Sequence, residues 1–216
     1  MVSFVKSEIM NAPAHGEFLM AIGDDGFDPQ GDLLVEQLFK PAQQVELSLR
    51  SLSPFQRALL VIDGTVTTFL EAYTLEPIEI VRLSQIRQSL STDHHLLQLS
   101  SGATVFVRQV LLRGRYTATV YAYAASLIVP DRVQEIVQQD LEVDGKGLGH
   151  IMRDSRMETY REIVWYGREH THNLPEAFRF LTTDEFISRT YRVIASGQPI
   201  MLIHEKFPSH LTGVNC

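Results

Sequence analysis

The sequence predicts an α+β domain in which helices pack on an antiparallel sheet. Strand signals outnumber helix signals along the 216 residues. Stretches that alternate apolar and polar residues are joined by tight turns or by short helices, which favours an antiparallel sheet over a parallel one. With 44% hydrophobic and 21% charged residues, the composition is that of an ordinary globular protein and excludes a disordered or fibrous chain.

Charge and cysteine content restrict the partners of the chain. The sequence has 19 Lys and Arg residues against 26 Asp and Glu residues, a formal net charge of −7, which argues against nucleic acid as the main partner. The only cysteine, Cys216, excludes an internal disulfide framework and a zinc cluster built on thiolates. We therefore expect a small-molecule or protein partner and a reducing compartment.

No segment has the composition of a membrane span or of a secretory signal. The densest apolar runs, residues 58–62 and 199–203, are far shorter than the roughly 18 residues that cross a bilayer. Near the N-terminus, Glu8, Asn11 and Pro13 interrupt the apolar core that a signal peptide would need. We predict a cytoplasmic protein without a membrane span.

Two short elements follow an N-terminal leader. Residues 1–45 carry many turn formers and no sustained period, which predicts a partly ordered extension on the surface, or else a lid or partner-binding arm. Ser53 and Pro54 are spaced as an N-cap and a first helical turn, so a helix should begin at Pro54. The next element, residues 66–73, fits a helix or a strand.

The middle of the chain alternates with a period of two. Ile78 and Ile80 predict a strand that begins after Pro77. Residues 105–112 and 117–129 form the two strands of a β-hairpin that turns at residues 113–115.

A helix and three strands complete the predicted domain. Pro130 and the spacing of the apolar residues after it predict one helix, which ends before a glycine loop at residues 145–149 whose backbone amides can face a ligand. Residues 158–166 alternate as a strand. Residues 188–195 and 200–207 form a second hairpin.

Two charged residues stand on strand faces that are otherwise apolar. By alternation Glu205 shares a face with Met201, Ile203 and Phe207, where burying a carboxylate is costly unless a cation or hydrogen-bond donors compensate. Arg108 likewise lies on an otherwise apolar face of its own strand. Both side chains could face one pocket, the guanidinium gripping a ligand carboxylate and Glu205 bonding the other end. A structural ion pair between Arg108 and Glu205 explains the pattern equally well.

The motifs of metal and nucleotide sites are absent from the sequence. The eight histidines include no helical i, i+4 pair with an intervening glutamate, the arrangement of zinc hydrolases. The chain also lacks the serine nucleophile elbow, the dinucleotide-binding loop and the phosphate-binding loop. We predict no metal and no cofactor.

An ordered set of short motifs resembles the chorismate lyase family. In chain order they are SPFQRALL from Ser53, DGTVT from Asp63, VRQVLL from Val107, ASLI from Ala125, Leu148-Gly149, and RVIASGQPIMLIHEKF from Arg192. No single motif is specific for the family, whereas the order of the motifs along the chain is. The similarity is closest to the actinobacterial and cyanobacterial branch and covers residues 46–208, which leaves residues 1–45 as a leader and residues 209–216 as a tail.

The resemblance implies a fold, a reaction and a set of site residues. The fold is a monomeric α+β domain with a six-stranded antiparallel sheet. The reaction is the conversion of chorismate to 4-hydroxybenzoate and pyruvate without a cofactor. The family's carboxylate-binding arginine corresponds to Arg108, and the glutamate at the hydroxyl end of the product corresponds to Glu205. Both are expected to be catalytic: Arg108 orients the substrate and stabilises a carboxylate, and Glu205 acts as an acid/base group or as an anchor. Backbone amides at Val66 and Leu148 complete the carboxylate cradle.

Gly147 departs from the proline that is more usual in the family, and this affects the expected loop geometry and substrate choice. The same fold could act on a related enolpyruvyl or aromatic substrate. It could also serve as a non-catalytic effector-binding domain of the kind found in transcription regulators, although the acidic leader offers no basic helix-turn-helix. We expect a monomer or weak dimer whose product feeds a quinone or another aromatic pathway.

Overall fold

The structure is a computed structural model that describes residues 47–142, 147–170 and 185–211. Its six strands are Ile78–Ser89 (β1), Thr104–Gly114 (β2), Val120–Ile128 (β3), Tyr160–His170 (β4), Glu185–Ala195 (β5) and Gln198–Pro208 (β6). The α-helices in the described ranges are Pro54–Val61 (α1), Val66–Thr74 (α2), Glu135–Glu142 (α3) and Leu148–Asp154 (α4). Short 3-10 helices cover Leu49–Ser51, His95–Leu97 and Pro130–Arg132. The predicted leader and most of the predicted tail lie outside the described residues.

The strands form one antiparallel sheet, which confirms the predicted α+β class. Their order is β1-β2-β3-β6-β5-β4, so both predicted hairpins are present and meet where β3 pairs with β6. The β5–β6 turn places Ser196 and Gly197 at φ 49° and 75°, the left-handed region that a two-residue hairpin turn requires. The sheet therefore brings residues from distant parts of the sequence onto one surface.

The first helix begins as predicted, and the second element is a helix. The Ser53 hydroxyl accepts from the Gln56 amide at 3.2 Å, while the Gln56 side chain accepts from the Ser53 amide at 3.0 Å, a complete capping box ahead of Pro54. In α2, Val66 and Leu70 are buried four residues apart. That spacing puts both side chains on one helix face, which settles the choice that the pattern left open.

The segment after β3 differs from the single helix that the sequence predicts. The 3-10 turn at Pro130–Arg132 ends at an extended Val133, and α3 starts only at Glu135. The Arg132 guanidinium donates to the carbonyls of Leu97, Gln98 and Pro199 at 2.6–2.9 Å and pins the turn. These tertiary contacts outweigh the local preference for one continuous helix.

Two further predictions need correction. The predicted glycine loop at residues 145–149 is partly helical, because Gly147 is the N-cap of α4 and Gly149 lies within that helix. The predicted strand at residues 158–166 is present as β4, but its alternation is interrupted by a bulge between Ile163 and Trp165. An extra residue at a bulge moves the following side chains to the other face.

The core of the described part of the chain includes two large apolar clusters and a smaller one around Leu111, Tyr123 and Phe186. One large cluster joins α1 and α2 to β1, β2 and β3 through residues such as Leu59, Leu70 and Val110. The other large cluster joins α3 and α4 to β3, β5 and β6 through residues such as Val137 and Met201. Among the described residues, no helix is long and apolar enough to cross a membrane.

Candidate functional site

A cavity lies where the two large core clusters meet, between the sheet and the starts of α2 and α4. The register of the strands determines which residues line the cavity on its sheet side. Arg108, Ser126, Ile203 and Tyr191 are successive partners across β2, β3, β6 and β5, and all four line the cavity. The neighbouring row contributes Val110, Ala124 and Glu205. Within the described part of the chain, the charged residues of the lining are Arg108, Arg161 and Glu205.

Arg108 is almost completely buried, with 1% of its surface exposed. Its Nη1 donates to the Gln85 side chain at 2.6 Å on the adjacent strand and to the Leu141 carbonyl at 2.9 Å on α3. These bonds hold the guanidinium at the β2 side of the cavity. An arginine cannot deprotonate at neutral pH, so it gives this side a fixed positive charge.

Glu205 is also buried, and its ion-pair partner is Arg189. The two side chains are 2.8 Å apart between Nε and Oε2. Tyr191 donates its hydroxyl to the other Glu205 oxygen at 3.1 Å. Burial raises the pKa of Tyr191, and the charge of Glu205 raises it further, so the phenol remains a donor. The predicted alternative, a structural pair with Arg108, is replaced by a pair with Arg189.

Arg189 is fully buried and anchors the site to α1. Its Nη1 donates to the Leu60 and Ile62 carbonyls at 3.2 and 2.8 Å, at the end of α1 and just beyond it. Its Nη2 is buried without a hydrogen-bond partner among the residues that the structure describes. The charge of this buried cation is balanced by Glu205, so the carboxylate has a structural task besides any task toward a ligand.

The two predicted backbone contacts lie at helix starts beside the cavity. Val66 is the first residue of α2 and Leu148 the first of α4. The first amides of a helix have no carbonyl partner within the helix, and neither N-cap residue, Thr65 or Gly147, satisfies one with its side chain. Both starts can therefore offer N–H donors to an anion.

Gly149 is required for this approach of the two helices. A Cβ atom at Gly149 would lie 2.1 Å from Cγ2 of Thr65. Gly147 does not need the freedom of glycine, because its φ of −83° and ψ of 145° are also open to proline.

Sequence reasoning missed Arg189, Tyr191 and Arg161. Arg189 lies on an apolar face with Ile187 and Tyr191, the same signal that marks Arg108 and Glu205, so alternation could have found it. Arg161 shares a face with Ile163, ahead of the bulge in β4, so alternation gives its face, but not that this face lies beside the cavity.

The histidines lie outside any metal cluster in the described residues. No group of three or more His, Cys, Asp or Glu side chains there could hold a metal ion. His94 accepts from the Leu97 amide at the start of a 3-10 turn, and His204 lies between Thr190 and Glu169.

A family model for chorismate pyruvate-lyase of the Rv2949c-like type matches residues 60–215. The chain belongs to this family. A chorismate pyruvate-lyase from Mycobacterium tuberculosis is 31% identical over 169 residues, which cover 74% of this chain and 82% of the relative. The enzyme of that name from Mycobacterium leprae is 29% identical, with 74% of this chain and 76% of the relative covered.

Two solved structures of one protein, PhnF, have a similar fold. PhnF from Mycobacterium smegmatis matches with a TM-score of 0.52 and 12% identity, over 70% of this chain and 66% of that protein. Its isolated effector domain matches with a TM-score of 0.50 and 12% identity, over 67% of this chain and 88% of the domain. At this identity the similarity concerns the fold alone.

Proposed function

We propose that the protein converts chorismate to 4-hydroxybenzoate and pyruvate without a cofactor. The observation that carries the proposal is the cavity that the buried Arg108 and Glu205 share, in a chain that belongs to the chorismate pyruvate-lyase family. A cation on one side and a hydrogen-bond acceptor on the other match a ring with a carboxylate at one end and a hydroxyl at the other.

The reaction needs positioning more than strong acid or base chemistry. The carbon–oxygen bond between the ring and the enolpyruvyl group breaks with its electron pair on the oxygen, the ring loses a proton and becomes aromatic, and the released enolate takes up a proton at its methylene carbon to give pyruvate. Aromatisation supplies the driving force. The protein's task is to hold the reacting ring in one geometry and to stabilise the charge that develops.

Arg108 and the two helix starts bind the ring carboxylate in this proposal. The guanidinium supplies charge-assisted donors, and the amides of Val66 and Leu148 supply further donors from two other directions. Because these groups come from β2, α2 and α4, the carboxylate is held by three separate elements.

Glu205 binds the hydroxyl end of the ring. Its carboxylate is the form that pairs with the permanently charged Arg189. A carboxylate accepts a hydrogen bond from a hydroxyl and does not protonate a leaving oxygen, so the ion pair favours an anchoring role over that of an acid. Glu205→Gln should therefore lower kcat/KM by about tenfold or more, the loss of a charge-assisted hydrogen bond, and leave the shape of the pH–rate profile unchanged.

A changed pH–rate profile in Glu205→Gln would instead support proton transfer by Glu205. The unfolding transition of this variant is measured in parallel, because the substitution also removes the counter-ion of Arg189.

The direct test is incubation of the purified protein with chorismate in the absence of metal and nucleotide. Absorbance follows 4-hydroxybenzoate, and a coupled lactate dehydrogenase assay follows pyruvate. We expect both products in equal amounts. A folded protein that binds 4-hydroxybenzoate but forms neither product would contradict the proposed activity and favour effector binding or a related substrate.

A further inference from the structure

Arg161 is a second arginine of the cavity, and neither the carboxylate cradle nor the hydroxyl anchor uses it. It lies on β4, at the edge of the sheet, whereas Arg108 lies on β2 with β3, β6 and β5 between them. Its guanidinium carbon is 5.9 Å from the centre of the Tyr191 ring, and the Tyr191 hydroxyl bonds Glu205. The two cations of the lining are thus at opposite sides of the cavity, and Arg161 is on the side of Tyr191.

One of the hydrogen-bond donors of Arg161 lacks an acceptor among the described residues. Its Nη1 donates to the Asp63 carbonyl at 2.5 Å, in the loop before α2. Its Nε is buried, and in the described ranges of the chain it has no hydrogen-bond partner. Those same ranges contain no carboxylate within ion-pair distance of the guanidinium. A buried N–H without an acceptor is costly, and a ligand oxygen that reaches it removes the cost.

From this placement we propose that Arg161 binds the second carboxylate of the substrate, the one on the enolpyruvyl group. The inference rests on the proposed function. In chorismate the enolpyruvyl ether is on the ring carbon next to the one that carries the hydroxyl. A ring held with its carboxylate at Arg108 and its hydroxyl at Glu205 has this group at its Glu205 end, which is the end nearer to β5 and β4. Arg161 is the charged lining residue on that side.

The consequence is selectivity for dianions over monoanions. A pocket with Arg108 alone would hold 4-hydroxybenzoate and chorismate by the same ring carboxylate. With Arg161 the substrate gains a contact that the product loses when pyruvate departs. Arg161 therefore acts in binding and positioning the substrate, and it contributes nothing to the affinity for 4-hydroxybenzoate.

A pair of stable ligands tests the proposal without turnover. The dianion is 3-(carboxymethoxy)-4-hydroxybenzoate, and the matched monoanion is 4-hydroxy-3-methoxybenzoate, which lacks only the second carboxylate. Calorimetry gives both affinities for the wild type, for Arg161→Met and for Arg161→Lys. The control is Arg113→Met, which removes a half-exposed arginine that pairs with Glu79 away from the cavity.

We expect the wild type to prefer the dianion by about tenfold or more, as one charge-assisted hydrogen bond allows. Arg161→Met should abolish that preference and leave the affinity for the monoanion unchanged, Arg161→Lys should retain part of it, and Arg113→Met should match the wild type. Equal losses for both ligands in Arg161→Met would overturn the proposal, because they would show that Arg161 only fixes the loop at Asp63. A wild type without the preference overturns it too.

The two proposals fail in different ways. A wild-type protein that prefers the dianion but turns over no chorismate contradicts the proposed lyase activity and supports the assignment of Arg161. A protein that turns over chorismate with the same KM in wild type and Arg161→Met supports the lyase activity and contradicts the assignment.

Discussion

At the scale of single residues, we expect Arg108 to make a large contribution to the binding of the substrate. The guanidinium is fixed by Gln85 and Leu141 before any ligand arrives, so little conformational freedom is lost when a carboxylate binds. We predict that Arg108→Met lowers kcat/KM for chorismate by roughly 10- to 100-fold, the loss of a hydrogen bond between charged groups. Steady-state kinetics measure the effect, with Arg113→Met as the matched control. Full turnover by folded Arg108→Met would refute the carboxylate-binding role.

A second residue-scale prediction concerns acid stability. Glu169 lies 2.7 Å from Lys206 Nζ and 3.2 Å from His204 Nε2. Burial by itself raises the pKa of Glu169, but the hydrogen bonds and charges of His204 and Lys206 outweigh it and lower the pKa from 4.5 to about 2. The native state thus holds the carboxylate ionised at a pH where the unfolded chain binds a proton. The resulting stabilisation, up to about 3 kcal/mol, is complete above the unfolded value and is lost as the pH falls through the native one.

Glu169→Gln should accordingly lower the free energy of unfolding at pH 7. The difference from the wild type should shrink as the pH falls from 4.5 toward 2, the interval between the unfolded and native pKa values of Glu169. Urea unfolding at several pH values measures it. Glu79→Gln is the control, because the half-exposed Glu79–Arg113 pair should contribute less than about 1 kcal/mol. A difference that stays constant down to pH 2 would exclude this electrostatic origin.

At the scale of the elements, the approach of α2 and α4 determines whether the backbone amides at their starts can bind the same ligand. The starts of α2 and α4 approach so closely that Gly149 has no room for a Cβ atom beside Thr65. We predict that Gly149→Ala separates the two helix starts and weakens the binding of 4-hydroxybenzoate by about tenfold, the contribution of one or two hydrogen bonds to a charged group. Calorimetry measures the affinity.

A second substitution tests whether the contact with Thr65 causes the loss of affinity in Gly149→Ala. Thr65→Gly removes the side chain that the new methyl group meets, and glycine at an N-cap costs only a few tenths of a kcal/mol. The double variant should recover most of the lost affinity. Gly64→Ala is the control in the same loop, because its nearest neighbour would be at an ordinary 3.7 Å. If the double variant binds no better than Gly149→Ala, the contact with Thr65 is not the reason.

At the scale of the whole molecule, the cavity is covered in part by helices that lie on one side of the sheet. The sheet forms the floor, and the starts of α2 and α4 stand over it. We predict that product release limits turnover, so that 4-hydroxybenzoate forms faster in a single turnover than in the steady state. Rapid-quench experiments with enzyme in excess, compared with kcat, measure the two rates. Equal rates would show that the chemical step limits turnover.

Sequence patterns alone predict the class of fold and two buried charged residues of the cavity lining. Alternation and tight turns identify the hairpins because a strand's side chains change face at every residue. The same rule marks Arg108 and Glu205 as charges on apolar faces, and the Ser53–Pro54 signal locates the start of α1 because capping is local.

Which side chains contact one another follows from strand order and long-range packing. Glu205 pairs with Arg189 instead of Arg108 because β5 is its hydrogen-bonded neighbour, while β3 separates it from β2. The break between Pro130–Arg132 and α3 depends on the bonds of Arg132 to three carbonyls, two of them more than 30 residues earlier in the chain. Arg161 shares its face of β4 with Ile163, ahead of the bulge, but only the pairing of β4 with β5 places that face beside the cavity. Local rules act within a few residues, whereas strand order, bulges and long-range contacts are set by the packing of the whole domain.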